Sequence, residues 1–426
     1  MPQREGAVPL EEIETTKTKK MTKKERSWVM YDVANSGFVI LTSTLIPIYF
    51  NAIADPNSRA MVAWGYATTV ASLILAVIMP FLGSIADLKG NKKKFFVGTM
   101  GTGALFCAML GVTTNGGIFL TFYVIATIML NASQVFYDAF LVDATEEDRY
   151  AEVSSQGYAW GYIGSCIPFI ICLILVLFGE NFGMSQMLAL QISFVITAIW
   201  WVAFSIPLIK NVKQEHYREP QPHLIRSTFS ELWATTKRIF SNKAIAMYLI
   251  AYFFYIDGVH TIISMATSYG TDLGIDTTHL VLALLVMQFV AWPASIIYGR
   301  LADKYGARKM LLVGILGYFF ITLFAAFFLR SATEFWILAI CVGLFQGGLQ
   351  AISRSEFGKM IPKERSNEYF GFFDIFGKYA SVLGTFIVSF TTQLTGNSSI
   401  GVLGLAIFFI IGFVVLLKTP QTEKIE

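Results

Sequence analysis

Asp257 and His260 stand three residues apart inside one long apolar stretch, and Asp374 and Lys378 stand four apart inside another. An ionisable side chain in lipid is costly, so such residues face protein or water and are candidates for handling a polar solute. Shielding from water raises a carboxylate's pKa and an imidazole titrates near neutrality, so Asp257 and His260 have the chemistry to carry a proton. Asp374 and Lys378, one helical turn apart, either neutralise each other or meet the charges of a substrate or proton.

More polar groups share helical faces within apolar sequence. Asp32 and Asn35 are one pair, with tying one helix to a neighbour as the plainer reading; Asn131, Gln134 and Asp138 form a stripe with Tyr137 beside it. Gln346 and Gln350 lead to Arg354 and Glu356, which read as a structural clamp at the cytoplasmic end. Trp160, Tyr162 and Trp292 are further candidates for a cavity wall. No catalytic centre emerges: His216, His223, His260 and His279 are scattered, and no GxxxxGK[ST] nucleotide loop occurs. The four cysteines (Cys107, Cys166, Cys172, Cys341) lie in apolar spans without a CxxC pair and read as packing residues. The expectation is no enzyme, no metal and no cofactor.

These residues need helices in a bilayer to position them. Of 426 residues, 55% are hydrophobic and 14% charged, against about 25% charged in ordinary soluble domains. The net charge of +3 gives no footprint for nucleic acid. Stretches long enough to span (roughly 17–25 residues) fall at about 28–53, 61–86, 95–114, 117–142, 152–178 and 185–209. They resume at about 244–269, 278–301, 309–329, 334–353, 367–394 and 398–417. With this count, 29 of the 32 Lys and Arg fall on the side shared by both termini. Arg59 and Arg330 fall on the other side, and Lys378 lies within a span. The positive-inside rule then puts both termini in the cytoplasm.

The organisation expected is a basic tail (1–27), a six-helix bundle (28–209), a linker (210–243), a second bundle (244–417) and a short tail (418–426). The first tail is polar and lysine-rich, unlike a secretory signal. In the linker, Thr228 and Glu231 make a capping-box pattern ahead of a stripe of Phe229, Leu232, Trp233, Thr236, Ile239 and Phe240. An interfacial helix on the cytoplasmic leaflet is the reading, with packing against the protein's own loops as the alternative. Interior prolines (Pro47, Pro80, Pro168, Pro293) mark expected kinks.

One short segment occurs twice. Gly83–Gly101 reads GSIADLKGNKKKFFVGTMG and Gly299–Gly317 reads GRLADKYGARKMLLVGILG, identical at eight of nineteen positions with a constant offset of 216. Each copy links two spans through a glycine-bearing basic turn, the mark of a transporter built from internal repeats. Its aspartates, Asp87 and Asp303, suit acceptance of hydrogen bonds from a helix N-terminus or pairing with bases, and its lysines and arginines suit contact with anionic lipid.

This segment resembles the GxLaDrxGrkxxl loop between helices 2 and 3 of the major facilitator superfamily, with Leu88 where an Arg is usual. The resemblance covers the membrane domain and implies twelve transmembrane helices in two pseudo-symmetric six-helix bundles, an all-α membrane protein. It also implies that Asp87 belongs to a cytoplasmic gate stabilising the outward-open state; Asp303, Arg354 and Glu356 complete the expected gate. Helices 1, 4, 7 and 10 would line the path, carrying Asp32, Asn35, Asn131, Gln134, Asp138, Asp257, His260, Gln346, Gln350 and, from helix 11, Asp374 and Lys378.

YDVANSGF (Tyr31–Phe38), SSQGYAWGYIGS (Ser154–Ser165), GLFQGGLQAISRSEFGKMIP (Gly343–Pro362) and EYFGFFDIFGKYASVLG (Glu368–Gly384) narrow the match. They look like the autophagy-related vacuolar amino-acid effluxers and their bacterial relatives. Val33 stands where that branch usually has Trp, and Asp138 and Val142 where it has Asn and Pro. The resemblance implies a secondary transporter for a small polar solute, an amino acid foremost, coupled to protons or another ion; a monomer is expected, and the short loops and compact length point to a bacterial cell membrane. The zwitterion's carboxylate would meet Lys378 and its ammonium Asp257. A sugar, peptide, nucleoside or drug carrier, or a non-transporting receptor or scaffold of the same fold, remains the alternative.

Overall fold

In the computed structural model the chain is described over residues 20–54, 60–219 and 224–420; side chains at 60–65, 224–232 and 378–382, among others, are outside that description. The first expected span is two helices, α1 (Lys23–Thr42) and α2 (Leu45–Ile53). The break has a local cause. Thr42, Ser43 and Thr44 all turn their hydroxyls back to the carbonyls of Val39 and Ile40, competing with the next helical turn.

The bundle continues with α3 (Ala60–Ala86), α4 (Asn91–Met109), α5 (Gly116–Ala139), the short α6 (Leu141–Ala144), α7 (Tyr150–Phe178) and α8 (Gln186–Asn211). The linker holds α9 (Leu224–Ser241). The second bundle is α10 (Lys243–Asp272), α11 (Thr277–Tyr305), α12 (Ala307–Phe327), α13 (Ala332–Met360), α14 (Ser366–Thr395), α15 (Ser398–Gly404) and α16 (Ala406–Lys418). Eleven helical segments among the described residues are long and apolar enough to cross a membrane. α14, a 30-residue helix of which residues 378–382 have side chains outside the description, takes the remaining place of the twelve-helix fold. Asn115, Ser185, Asn242 and Asn397 start their helices by accepting N–H bonds from the first turn, so the spans begin where the sequence places these caps.

Within the first bundle α1 packs on α7 and α8, and α4 on α5 and α8; within the second, α11 packs on α13, and α10 on α14 and α16. The bundles meet through α7 against α11 and α13, and α14 against α3 and α5. Many apolar side chains on the outer faces are exposed, among them Val77, Leu177, Ile199 and Phe386. That is the inverse of a water-soluble surface and suits lipid.

The described part of α9 divides the expected apolar stripe. Ile239 of the stripe is buried, as is Thr235 beside it, whereas Trp233 and Phe240 are 75% and 57% exposed, and the helix packs on α3 and α10. The side chains of Thr228, Phe229, Glu231 and Leu232 lie outside the described residues.

Candidate functional site

A cavity of about 300 Å³ lies between the bundles. Asp32 and Asn35 of α1, Gln134, Tyr137 and Asp138 of α5, and Tyr158 and Tyr162 of α7 form one wall. The other is Tyr252 and His260 of α10, Gln346, Gln350 and Arg354 of α13, and Phe373 and Asp374 of α14. Two bundles thus supply a polar chamber within an apolar protein, the location at which carriers of this architecture bind solute.

Arg354 forms its floor, with a side chain only 3% exposed. Nη1 donates to Asp138 Oδ1 at 2.8 Å and Nη2 reaches Asp32 Oδ2 at 3.4 Å. Nε donates to Ser154 Oγ at 2.9 Å and Nη2 to the Ser154 carbonyl at 3.1 Å. The guanidinium carbon also lies 4.7 Å from the Trp28 ring centroid and 4.6 Å from that of Tyr158, a desolvated cation–π setting. Tyr137 donates to Asp32 Oδ2 at 2.7 Å, and Ser154 to the Ala351 carbonyl at 2.8 Å. One cation of the second bundle is therefore held by two carboxylates and a serine of the first. Above it, Gln134 Nε2 donates to Asn35 Oδ1 at 3.3 Å.

A second layer closes the basic side, where the short loops gather. Asp87 is fully buried and sits at the start of α14. Oδ1 accepts the Asn367 backbone N–H at 2.9 Å and its side-chain amide at 2.7 Å, and Oδ2 accepts the Glu368 N–H at 3.0 Å. A carboxylate at a helix N-terminus satisfies donors that have no partner in the helix itself. Burial pushes the Asp87 carboxyl up to about 7, against the pull of Lys92 and of the Asn367 and Glu368 N–H groups. A Cβ on Gly83 would lie 2.6 Å from the Asn367 carbonyl oxygen, so only glycine lets α3 approach α14 this closely.

Lys92 departs from the expectation of a lipid-facing loop lysine. It is fully buried, its Nζ donating to Asp143 Oδ2 at 2.7 Å, Ser366 Oγ at 2.9 Å and the Ala139 carbonyl at 3.2 Å. Asp143 Oδ1 in turn accepts the backbone N–H groups of Glu215 and His216, each at 2.9 Å, and lies 3.0 Å from His216 Nδ1. Burial alone would raise the Asp143 carboxyl, but Lys92 and the His216 donors hold it below the ordinary carboxylate range. The linker after α8 thereby straps the repeated loop: Arg218 N–H donates to the Asp87 carbonyl at 2.8 Å and Lys89 N–H to the Arg218 carbonyl at 3.1 Å. Gln214 donates to the carbonyls of Ala86 and Asp87.

Among the residues expected on the pathway, Asp32, Asn35, Gln134, Asp138, His260, Gln346, Gln350 and Asp374 all line the cavity. Asp257 does not join His260 there. It points into the second bundle, where its Oδ1 accepts from the Gly384 N–H at 2.9 Å and from Thr261 at 3.1 Å. Asn131 donates to the Thr127 carbonyl one turn earlier and is not part of the wall. The Lys378 side chain lies outside the described residues. Of the expected gate, Asp87 is engaged and Arg354 sits deeper, at the cavity floor. Glu356 pairs with Lys359 at 2.9 Å, and Asp303 is exposed near Glu152, Lys359 and Arg149. Tyr162 is a wall residue; Trp160 and Trp292 instead face each other, with ring centroids 5.8 Å apart. Sequence reading missed Lys92, Asp143, His216, Tyr158 and Tyr252. A lysine among three consecutive lysines and a tyrosine among many carry no local signal of a partner across the fold.

The chain matches the family model described as "Vacuole effluxer Atg22 like" over residues 55–425. It is 45% identical over 417 residues to the uncharacterised MFS-type transporter YxiO of Bacillus subtilis, covering 96% of this chain and 97% of that one. It is 23% identical over 346 residues to autophagy-related protein 22 of Kluyveromyces lactis, covering 75% and 68% respectively. Among solved structures, FucP in its outward conformation superposes with a TM-score of 0.72 at 16% identity, covering 94% of this chain and 98% of that one. The proton:xylose symporter XylE gives 0.66 at 10% identity, covering 93% and 94%. At those identities the structural likeness speaks for the fold, and the family for a transporter rather than an enzyme. A multi-pass, two-bundle chain with a polar chamber at the seam and a buried carboxylate capping α14 on one side belongs, on these matches, to the Atg22-like effluxer family of the major facilitator superfamily.

Proposed function

We propose that this protein carries a small zwitterion, an amino acid first among candidates, across the cell membrane by proton-coupled alternating access, with both termini in the cytoplasm. The observation that carries the reading is Arg354 at the floor of the cavity, shared between Asp32 and Asp138 with Asp374 nearby in the wall. A solute bearing a carboxylate and an ammonium matches a chamber that offers one buried guanidinium and several carboxylates. Its volume, about 300 Å³, is at the small end of ligand pockets (about 300–1,000 Å³), which disfavours peptides and large drugs.

In this reading the solute's carboxylate competes with Asp138 and Asp32 for Arg354. Protonation of Asp138 weakens its hold on the guanidinium, so proton and solute binding favour each other. Release of Arg354 from the first bundle loosens the seam, and the second layer at Asp87 and Lys92 then opens to the cytoplasm. A sugar is the second reading, since Asn35, Gln134, Gln346 and Gln350 give the wall four amides suited to hydroxyl groups.

Counterflow in proteoliposomes tests this. Vesicles are preloaded with single unlabelled amino acids or sugars, and entry of the labelled species is followed with and without a pH gradient. Exchange of an amino acid that disappears in Arg354→Gln supports the reading. Exchange of sugars alone would replace it with the second, and no exchange by folded protein across the panel would remove both.

A further inference from the structure

Asp257 is fully buried, and among the described residues its Oδ2 has no hydrogen-bond partner. Among the described residues no Lys, Arg or His lies within ion-pair distance of it. An ionised carboxylate in that position carries a desolvation penalty that no cation among the described residues offsets, and a neutral acid does not. The surroundings supply little else that titrates. His260 faces the central cavity, and Tyr255 shares a hydrogen bond with Ser353. On α14, Asp374 and Lys378 lie ten and six residues before Gly384. α16 brings Phe409 against Gly258, and Tyr318 of α12 stacks on Phe409.

Thr261, which donates to Asp257, also lines a second, partly open cavity of about 410 Å³ whose walls come from the second bundle alone. Thr261, Ser268 and Asp272 follow one side of it along α10 to that helix's end, and Thr392 and Gln393 of α14 lie across. The cavity thus runs from the neighbourhood of Asp257 toward the side opposite the basic face, without passing through the solute chamber.

We propose that Asp257 is a proton-binding site of its own, reached from the extracellular side through this second cavity and separate from the solute site. Binding converts the carboxylate to the neutral acid, the proton coming from water on that side. The site grips the gating helix directly. A Cβ on Gly384 would lie 2.4 Å from Asp257 Oδ1 and 2.2 Å from Thr261 Oγ1, so only glycine leaves room for this backbone N–H to reach the carboxyl. Asp87 holds the first-turn N–H groups of α14 and Asp257 holds one further along the same helix. Charge on Asp257 therefore acts on the helix that closes the gate. That coupling role rests on the proton-coupled reading above; the site and its access do not.

The test uses the full chain in proteoliposomes and needs no solute. Dicyclohexylcarbodiimide modifies protonated carboxyl groups in apolar surroundings, and mass spectrometry locates the adduct. The expected result is an adduct on Asp257 at pH 6 that falls at least tenfold at pH 9, with none in Asp257→Asn. In a background lacking the native cysteines, Ser268→Cys should react at least tenfold faster with a membrane-impermeant cationic thiosulfonate added outside than inside. Absence of an adduct on Asp257, an adduct indifferent to pH, or no external reaction at Ser268→Cys would overturn the proposal. Because neither readout involves transport, a failed solute assignment leaves these outcomes intact.

Discussion

Arg354 and Asp138 occupy equivalent positions of the two halves, 216 residues apart, and they bond to each other at 2.8 Å. Gln134 and Gln350 share that offset and face the same chamber. A repeat folded twice about a pseudo-twofold axis brings equivalent positions of α5 and α13 toward one another. At one position the copies have opposite charges and tie the bundles together; at the other they have stayed identical and leave the wall polar.

Truncating the cation should expose the strength of that tie. Arg354→Gln leaves Asp32 and Asp138 without their shared partner, and removal of one member of a buried pair costs about 3–5 kcal/mol. Thermal unfolding in detergent should show a clear drop. The double variant Asp138→Asn/Arg354→Gln should lose less than the sum of the single losses, since each replacement removes the same contact. Strict additivity would mean that the contact contributes nothing to stability.

The membrane architecture was legible because it is written in long apolar runs separated by short polar loops. The chamber was half legible: Asp32, Gln134, Asp138 and Gln350 reveal themselves as polar residues that lipid would not tolerate. Asp257 met the same criterion, yet faces the interior of its own bundle: side chains three apart on a helix differ by about 60° in direction, and at the edge of the chamber wall that offset turns His260 into the cavity and Asp257 away from it. Lys92 was illegible. Sequence places it with Lys93 and Lys94 in a basic loop, and only the arrival of Asp143, Ser366 and the linker shows that it is buried. Leu88, where the superfamily usually has Arg, lies beneath the same strap, bridged to Arg218.

Removing the cap on α14 should open the basic side. Asp87→Ala leaves the buried N–H groups of Asn367 and Glu368 without acceptors, at about 1–3 kcal/mol each. Spin labels on the ends of α3 and α14 should then report a longer-distance population at least tenfold larger than in the parent. An unchanged distance distribution would show that the second gate contact, through Lys92, suffices alone.

Acid should weaken that second contact in a defined direction. The Asp143 carboxyl is held below its ordinary value in the folded protein. Its contribution is therefore fully present above the ordinary carboxylate pKa, about 4, and is lost as pH falls through the lower folded value. The unfolding temperature of the parent should fall more steeply below about pH 4 than that of Asp143→Asn. Between pH 5 and 8 the difference between the two should stay constant. Parallel curves throughout would mean that Asp143 is not preferentially ionised in the folded protein.

The strap gives the proposed gate a component outside the repeat. Gln214 donates to the carbonyls of Ala86 and Asp87, and its side-chain oxygen accepts from the Lys92 backbone N–H at 3.4 Å. His216 meets Asp143 through both its backbone and its ring. These contacts hold the Asp87 loop in the position that caps α14, yet neither residue touches the solute chamber. Gln214→Ala with His216→Ala removes several hydrogen bonds at about 0.5–1.5 kcal/mol each, so the open population should rise about tenfold. Solute affinity measured with the gate closed should be unaffected. The discriminating measurement is a cysteine cross-link between α3 and α14, formed in the parent and several-fold slower in the double variant. Cross-linking at the parental rate would show that the linker merely rests on the gate, and that the Asp87 and Lys92 contacts position the loop without it.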